Sequence, residues 1–189
     1  MKTHFHPRSR SGFTLIELLV VMSIIMVLAA LSLTAISLVN KRSRELVSLT
    51  CVRDLDMALN AYRDTYNHFP SVGDQDQMTA DGKAGAELLT ILLGKEDPSG
   101  TMQNPKGIVF LTTKIADNKN KGGLVYSGNQ VEGMFDAWGH PLNLEFDNDL
   151  DNEIADPTKP GGIVRQKNVI VWSLGADGKL GGNDEVKSW

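Results

Sequence analysis

The sequence predicts an α+β protein in which one long N-terminal helix is followed by a domain with short strands. Residues 13–67 contain no proline or glycine, the two residues that interrupt helices most strongly. Residues 168–174 are rich in β-branched and aromatic side chains and are typical of a strand. The chain of 189 residues is 41% hydrophobic and 22% charged, which indicates one globular domain plus one special apolar segment.

The first part of the predicted helix is an apolar run of membrane length. From residue 13 to residue 39 the only charged side chain is that of Glu17. At about 1.5 Å per residue this run spans roughly 40 Å, whereas the hydrocarbon core of a bilayer is about 30 Å thick. The sequence therefore predicts a transmembrane helix at residues 13–39.

The second part of the predicted helix, residues 40–69, is amphipathic. Apolar side chains recur in steps of three and four residues, with charged residues between them. They are Leu46, Leu49, Val52, Leu55, Leu59, Tyr62 and Tyr66. One face of this segment therefore packs against the domain of residues 70–189, and Phe69-Pro70 ends the helix.

The middle of the chain is less regular. Residues 71–106 are rich in glycine, aspartate and proline around a short apolar patch, which predicts loops that frame one small helix near residues 86–93. Residues 108–115 and 124–126 are candidate short strands on either side of a polar turn.

Charge and cysteine content argue against nucleic-acid binding and against an intramolecular disulfide. Lys2, Arg8 and Arg10 precede the apolar run, so a chain that begins at residue 13 carries 16 basic and 23 acidic side chains. Such a domain is a poor nucleic-acid binder, because that affinity depends mainly on Lys and Arg that neutralise phosphates. The single cysteine, Cys51, cannot form an intramolecular disulfide and is interpreted as a packing residue.

The start of the apolar run carries a specific motif. Gly12 stands directly before Phe13, whereas a secretory signal places its small cleavage residue after the apolar core. Residues 10–21 resemble the N-terminal signal of type IV pilins and pseudopilins, in which Glu17 takes the place of the family's glutamate. The resemblance implies that prepilin peptidase removes residues 1–12 by cutting between Gly12 and Phe13. It also implies N-methylation of Phe13 by the same enzyme.

The one carboxylate in the apolar run, that of Glu17, needs an explanation. A charge inside hydrocarbon costs from about 2.5 kcal/mol upward unless it is paired or near an interface. The resemblance implies that Glu17 pairs with the α-amino group of Phe13 on a neighbouring subunit and sets the register of assembly. The alternative is a helix-start glutamate that reaches the headgroups and interacts with the positive end of the helix dipole.

The C-terminal segment after the predicted strand combines glycines with acidic residues. Asp177, Asp184 and Glu185 offer hard oxygen ligands, which suit Ca²⁺, but a solvated acidic turn is an open alternative from the residues alone. The segment is similar to the calcium loop that ends major pseudopilins of type II secretion systems, and residues 135–142 are similar to a turn in the same proteins. This similarity implies that the carboxylates of Asp177 and Asp184 and the backbone carbonyl of Leu174 bind Ca²⁺. Glu185 is a weaker candidate ligand.

A second acidic run, residues 147–153, has carboxylates at alternate positions, as in the first half of an EF-hand loop. The glycine and glutamate that such a loop requires are replaced by Asn152 and Thr158. The run is interpreted as a solvated loop, with an extra cation site as the alternative.

The resemblance implies a type IV pilin-like fold, in which the second half of the helix packs on a small antiparallel sheet. It implies a structural subunit rather than an enzyme, anchored by one pass in the lipid of the inner membrane, with residues 70–189 in the periplasm. The subunit would assemble as a homopolymer, the pseudopilus of a type II secretion system, together with minor pseudopilins. An inner-membrane platform and its cytoplasmic ATPase would drive this assembly.

Two alternative functions are distinguished from that of a pseudopilin by different features of the sequence. A type IV pilus subunit shares the N-terminal signal but usually closes its C-terminal region with a disulfide, and this chain has one cysteine. A membrane-anchored calcium-dependent enzyme is the more distant alternative, since the sequence from residue 13 onward has no catalytic-triad order, phosphate loop or zinc spacing.

Overall fold

The structure is a computed structural model that describes residues 12–73 and 76–189, apart from the side chains of residues 31–35. The predicted leader, residues 1–12, lies outside the described residues except for Gly12.

The first element, α1, is one continuous helix, Leu15–Tyr66. This confirms the single long helix that the absence of proline and glycine predicted. The helix stops before residue 69, the predicted boundary, because Asn67 adopts a left-handed conformation with φ of +59°. Pro70 follows closely and prevents the helix from resuming.

The chain divides into two compact units, residues 1–41 and residues 42–189. In the first unit the described large apolar side chains are exposed, from 47% at Val21 to 81% at Leu15. They belong to Phe13, Leu15, Ile16, Leu18, Leu19, Val20, Val21, Met22, Ile24, Ile25, Met26, Val27, Leu28, Ile36, Leu38 and Val39. Within the described residues, no helix has a stretch of the length and hydropathy needed to cross a membrane. The transmembrane helix at residues 13–39 stays a prediction.

Among its described residues, the second unit contains the rest of α1, a second helix, a 3-10 helix and eight short strands. They are β1 (Gln77–Thr79), α2 (Gly82–Leu92), the 3-10 helix (Lys119–Lys121), β2 (Gly123–Ser127), β3 (Gln130–Phe135), β4 (Asn143–Phe146), β5 (Glu153–Ala155), β6 (Ile163–Arg165), β7 (Val169–Ser173) and β8 (Val186–Lys187). The predicted small helix and the predicted strand at 168–174 correspond to α2 and β7.

Every paired strand in the second unit is antiparallel. Four strands form a sheet in the order β1-β4-β7-β8, while β2 with β3 and β5 with β6 form two separate pairs. A long helix packed against antiparallel sheets confirms the predicted α+β fold class.

The main core lies between the second half of α1, α2 and the four-stranded sheet. Val52, Leu55, Leu59 and Tyr62 of the predicted apolar stripe are fully buried in it. Leu46 is 57% exposed, so the buried face begins only after this residue. Cys51 is also buried in this core, as predicted for a packing residue.

Strand β7 is buried on both faces and joins two cores. Val169 and Val171 point into the main core, while Ile170 and Trp172 belong to a second cluster with the β5–β6 hairpin. This alternation follows from the period of two along a strand. The hairpin therefore covers the face of the sheet opposite α1, which explains why all of β7 is apolar up to Ser173.

The predicted strand at residues 108–115 does not form. The N–H groups of Phe110 and Leu111 both donate to the carbonyl of Leu92, at 2.8 and 3.0 Å. This carbonyl is at the C-terminus of α2, where a helix leaves carbonyls without an internal partner. Only Ile115 makes an isolated bridge, to Leu124. The segment therefore caps α2 instead of extending a sheet.

Candidate functional site

The first candidate site is the start of α1, where Thr14 and Glu17 cap the helix reciprocally. The Thr14 N–H and hydroxyl donate to Oε2 of Glu17 at 2.9 and 2.8 Å. The Glu17 N–H donates to the Thr14 hydroxyl oxygen at 3.3 Å. This arrangement is a capping box, which satisfies N–H groups that a helix N-terminus leaves without a partner. The spacing of Thr14 and Glu17, three residues apart directly before an apolar run, is the sequence signal for this cap.

The second candidate site is the C-terminal loop, residues 174–185, which begins at Leu174 directly after β7. Strand β8 returns and pairs with β7, so that Ser173 lies opposite Val186 and Trp172 opposite Lys187. This pairing closes the loop at its base, and it brings the predicted ligands at the two ends of the loop toward each other.

Asp184 is the carboxylate that organises the C-terminal loop. Its Oδ2 accepts the N–H groups of Ala176 and Asp177 at 2.6 and 3.1 Å. Its other oxygen, Oδ1, is buried and has no hydrogen-bond partner among the described residues. A buried carboxylate oxygen without a donor is costly, which is the situation that a cation ligand relieves.

The side chains of Asp177 and Asp184 converge on Gly182. A Cβ atom on Gly182 would lie 2.5 Å from Oδ2 of Asp177 and 2.6 Å from Oδ1 of Asp184. Any side chain at this position would push the two carboxylates apart. The loop therefore holds two carboxylate oxygens close together beside a residue that has no side chain.

Glu185 differs from these two aspartates, because its carboxylate accepts hydrogen bonds from the loop backbone. Its Oε1 accepts the N–H groups of Gly181 and Gly182, the second at 3.1 Å. Glu185 therefore holds the loop in its closed form. Of the four predicted ligands, the structure brings the carboxylates of Asp177 and Asp184 together and directs that of Glu185 to the loop backbone.

A buried aspartate connects the C-terminal loop to the turn between β3 and β4. Oδ1 of Asp136 accepts the N–H groups of residues 138–140 at 2.8 to 2.9 Å. Its Oδ2 accepts the Ser173 hydroxyl at 2.5 Å, and the Ser173 oxygen accepts the Gly175 N–H at 3.0 Å. The turn also donates a hydrogen bond to α1, since the Ser48 hydroxyl oxygen accepts the Ala137 N–H at 3.0 Å.

His140 makes a second connection between this turn and the C-terminal loop. Its Nδ1 lies 3.0 Å from the Gly175 carbonyl, which only accepts, so Nδ1 carries the proton. Its Nε2 lies beside Gly178, where a Cβ atom would be 2.8 Å away. The similarity of residues 135–142 to a turn had placed His140 in this turn. Its contact with the loop was not foreseen, because nothing in a linear sequence joins residues so far apart.

We expect the Asp136→Ala substitution to destabilise the second unit by about 3 kcal/mol or more, because it leaves several N–H groups and a buried hydroxyl without an acceptor. Urea denaturation of the detergent-solubilised chain, followed by circular dichroism, measures this change. Asp117→Ala is the matched control, since Asp117 is exposed and pairs with Lys121 at 3.0 Å on the surface. Equal midpoints for the two variants would show that the Asp136 network contributes little.

The predicted solvated loop at residues 147–153 is partly buried. Asp147 is only 3% exposed, while Asp149 and Asp151 face solvent. The prediction was wrong for Asp147, because its carboxylate turns inward and accepts the Asn152 N–H at 3.0 Å.

Comparison with known proteins gives one match. Residues 7–33 match the family described as the prokaryotic N-terminal methylation motif. The chain thus carries a type IV pilin-like prepilin signal, which is common to pilins and pseudopilins. No curated protein and no solved structure matches the chain.

Proposed function

We propose that this chain is a structural subunit of a pseudopilus that serves a type II secretion system. The observation that carries the proposal is the N-terminal methylation motif at residues 7–33, followed directly by the helix Leu15–Tyr66. The motif supports a type IV pilin-like protein of a pilus or a pseudopilus. The C-terminal loop favours the pseudopilus.

The exposed apolar side chains of the first unit give this function its driving force. An exposed apolar helix surface of this extent needs cover, either from lipid or from other helices. We propose that subunits wait in the inner membrane after prepilin peptidase has removed the leader. A membrane platform and its ATPase then move them into a filament, in which the helices of neighbouring copies bury one another.

The capping box at the start of α1 is compatible with a role for Glu17 in assembly. Oε2 of Glu17 is occupied by Thr14. A carboxylate has a second oxygen and several acceptor sites, so it can accept from Thr14 and from an ammonium group together. We propose that the partner is the methylated α-amino group of Phe13 on the next subunit.

The C-terminal loop fits Ca²⁺ by the chemistry of its donors. Oδ1 of Asp184 is buried without a partner, and it converges with a carboxylate oxygen of Asp177 beside Gly182. We propose that these two carboxylates and the Leu174 carbonyl hold the ion. Calcium would supply positive charge that stabilises the closed loop, a role that a disulfide cannot take in a chain with one cysteine.

The type IV pilus subunit is the remaining candidate, because the N-terminal motif fits it equally well. Deletion of the gene separates the two. We expect loss of exported proteins from the medium while surface pili persist. Loss of surface pili with normal export would assign the chain to a pilus instead.

The experiment that tests the pilin-like part of the proposal is mass spectrometry of the native protein. We expect a mature chain that begins at Phe13 and carries one added methyl group. Gly12→Val should accumulate as the uncut precursor, because prepilin peptidase would meet a bulky residue at the cleavage site. Since a Cβ atom at Gly12 meets nothing within 4 Å, a folding defect would not explain this result.

Gly100→Ala is the control for that variant, since a Cβ atom there makes only an ordinary contact of 3.7 Å. It should be processed normally. A mature N-terminus after Ala29 or Ala30 would mean cleavage of an ordinary signal peptide, and the pilin-like proposal would then be wrong.

A further inference from the structure

The loop that connects β4 to β5, residues 147–152, brings three carboxylates together. One oxygen each from Asp147, Asp149 and Asp151 lies within 4.8 Å of the others. Because Ca²⁺ binds oxygens at about 2.3 to 2.6 Å, two oxygens on one ion are at most about 5 Å apart. The three carboxylates are therefore close enough to contact a single ion.

Asp147 shows a second, independent feature of a cation site. The residue is 3% exposed, and its backbone N–H is held by the Asn168 carbonyl at 3.0 Å. Its Oδ2 accepts the Asn152 N–H, but its Oδ1 is buried without a hydrogen-bond partner among the described residues. Burial of such an oxygen costs free energy unless a donor or a cation compensates.

The surroundings of the three carboxylates are acidic. Asp76 and Glu145 line the same cavity of about 400 Å³ as Asp147 and Asp149. These carboxylates repel one another across the cavity, and a bound cation would offset that repulsion.

The described part of the chain provides no Lys or Arg in an ion pair with Asp147, Asp149 or Asp151. Two basic residues at and just after the end of β6 have other partners. Arg165 pairs with Glu153 at 2.9 Å, and Lys167 lies 3.8 Å from Asp56. The negative charge of the three carboxylates is therefore neutralised by cations, either mobile in the solvent or bound at the site.

We propose that Asp147, Asp149 and Asp151 bind a calcium ion at a site distinct from the C-terminal loop. Ca²⁺ fits better than Mg²⁺, because it accepts six to eight oxygens in irregular geometry, whereas Mg²⁺ demands a near-ideal octahedron and keeps most of its water. Three carboxylates of one short loop would coordinate the calcium ion, together with backbone oxygens or water.

The ion would link the main sheet to the hairpin that covers its outer face. Asp147 follows the last residue of β4, and Oδ1 of Asp151 accepts the N–H of Glu153, the first residue of β5, at 2.7 Å. The hairpin carries Ile154 and Val164 into the second core. Calcium at this loop would therefore fix the path along which the hairpin reaches that core.

The test is a count of bound calcium ions on the full chain in detergent micelles, by native mass spectrometry and isothermal titration calorimetry. We expect two ions on the wild-type chain and one on Asp149→Asn/Asp151→Asn. Both side chains are exposed, so the double variant should fold normally by circular dichroism. Asp64→Asn is the matched control, an exposed aspartate on α1, and it should retain both ions.

The proposal would be overturned if the double variant bound as many ions as the wild-type chain with unchanged affinity, or if the site preferred Mg²⁺ to Ca²⁺. Asp147→Asn should lower the affinity of this site by about tenfold or more, since it removes charge from the buried ligand. The exposed double variant keeps the test decisive if Asp147→Asn fails to fold.

The C-terminal loop is separated from this site by Asp184→Asn. If calcium binds at both places, Asp184→Asn also loses one ion, and its combination with Asp149→Asn/Asp151→Asn loses both. If only the β4–β5 site is real, Asp184→Asn leaves the ion count unchanged while the double variant still loses an ion. Failure of one site is thus distinguishable from failure of the other.

Discussion

Chelation of calcium is expected to lower the melting temperature of the detergent-solubilised chain and to open its C-terminal loop to trypsin. A ligand at a hundredfold excess over its dissociation constant adds about 2.7 kcal/mol to the free energy of unfolding. For a domain of this size, that corresponds to roughly 5 to 10 °C. Lys179 is exposed within the loop, so cleavage by trypsin after this residue measures the opening of the C-terminal loop itself. Calcium bound elsewhere in the chain would not account for protection of Lys179 from trypsin.

Variants of Asp177 test whether the loop itself responds to calcium. Asp177→Asn keeps an acceptor for the Lys179 N–H, which now donates to Oδ1 at 2.8 Å, but it removes the charge. We expect protection of Lys179 by calcium to disappear in this variant, with helix content unchanged. Asp64→Asn should respond as the wild-type chain does.

In cells, Asp177→Asn should reduce export by lowering the amount of stable subunit, which immunoblotting measures. Equal cleavage at Lys179 with calcium and with chelator would instead assign the loop to a solvated acidic turn, even if calcium at the β4–β5 loop still raised the melting temperature. The pseudopilus would then have no support beyond the N-terminal motif.

Glu17→Ala is expected to abolish filament assembly while membrane insertion and cleavage continue. Removal of a carboxylate from an apolar segment lowers the cost of insertion, so the membrane-bound pool should be unchanged or larger. Assembly should fail because the neighbouring α-amino group loses its partner. Filament yield after shearing or after overexpression, compared with the membrane-bound pool, measures the effect.

Two further variants separate assembly from helix capping. Glu17→Gln retains the capping box, because glutamine also serves at this position, but it loses the charge. Thr14→Ala loses both hydrogen bonds of the Thr14 hydroxyl and keeps the charge of Glu17. We expect assembly to fail in Glu17→Gln and to persist in Thr14→Ala. Normal filaments from Glu17→Gln would show that Glu17 acts only as a helix cap.

The main elements of the fold could be predicted because each depends on the amino acids of one continuous stretch of sequence. The absence of proline and glycine was enough to predict α1, and the spacing of Val52, Leu55, Leu59 and Tyr62 was enough to predict its buried face. Strand β7 was predictable for a similar reason, since both of its faces are apolar and its side chains are largely β-branched. These features need no knowledge of the partners that cover them.

The features that sequence reasoning missed all depend on contacts between distant residues. Residues 108–115 have strand-like composition, but the free carbonyl of Leu92 takes the N–H groups that a strand would have used. Asp147 belongs to an acidic run, yet Asn152 and the end of β4 hold its carboxylate inside. His140 reaches the C-terminal loop only because the turn and β7 are neighbours in the fold.

Burial of the only cysteine makes the chain suitable for site-directed labelling. Desolvation raises the pKa of the Cys51 thiol to about 12, so the reactive thiolate is scarce at neutral pH. A cysteine introduced at an exposed position of α1 outside the apolar run, such as Leu46 or Met57, would be modified selectively, without removal of the native thiol. Pairs of such cysteines on successive copies could be cross-linked, and the spacing of the helices within an assembled filament could be measured residue by residue.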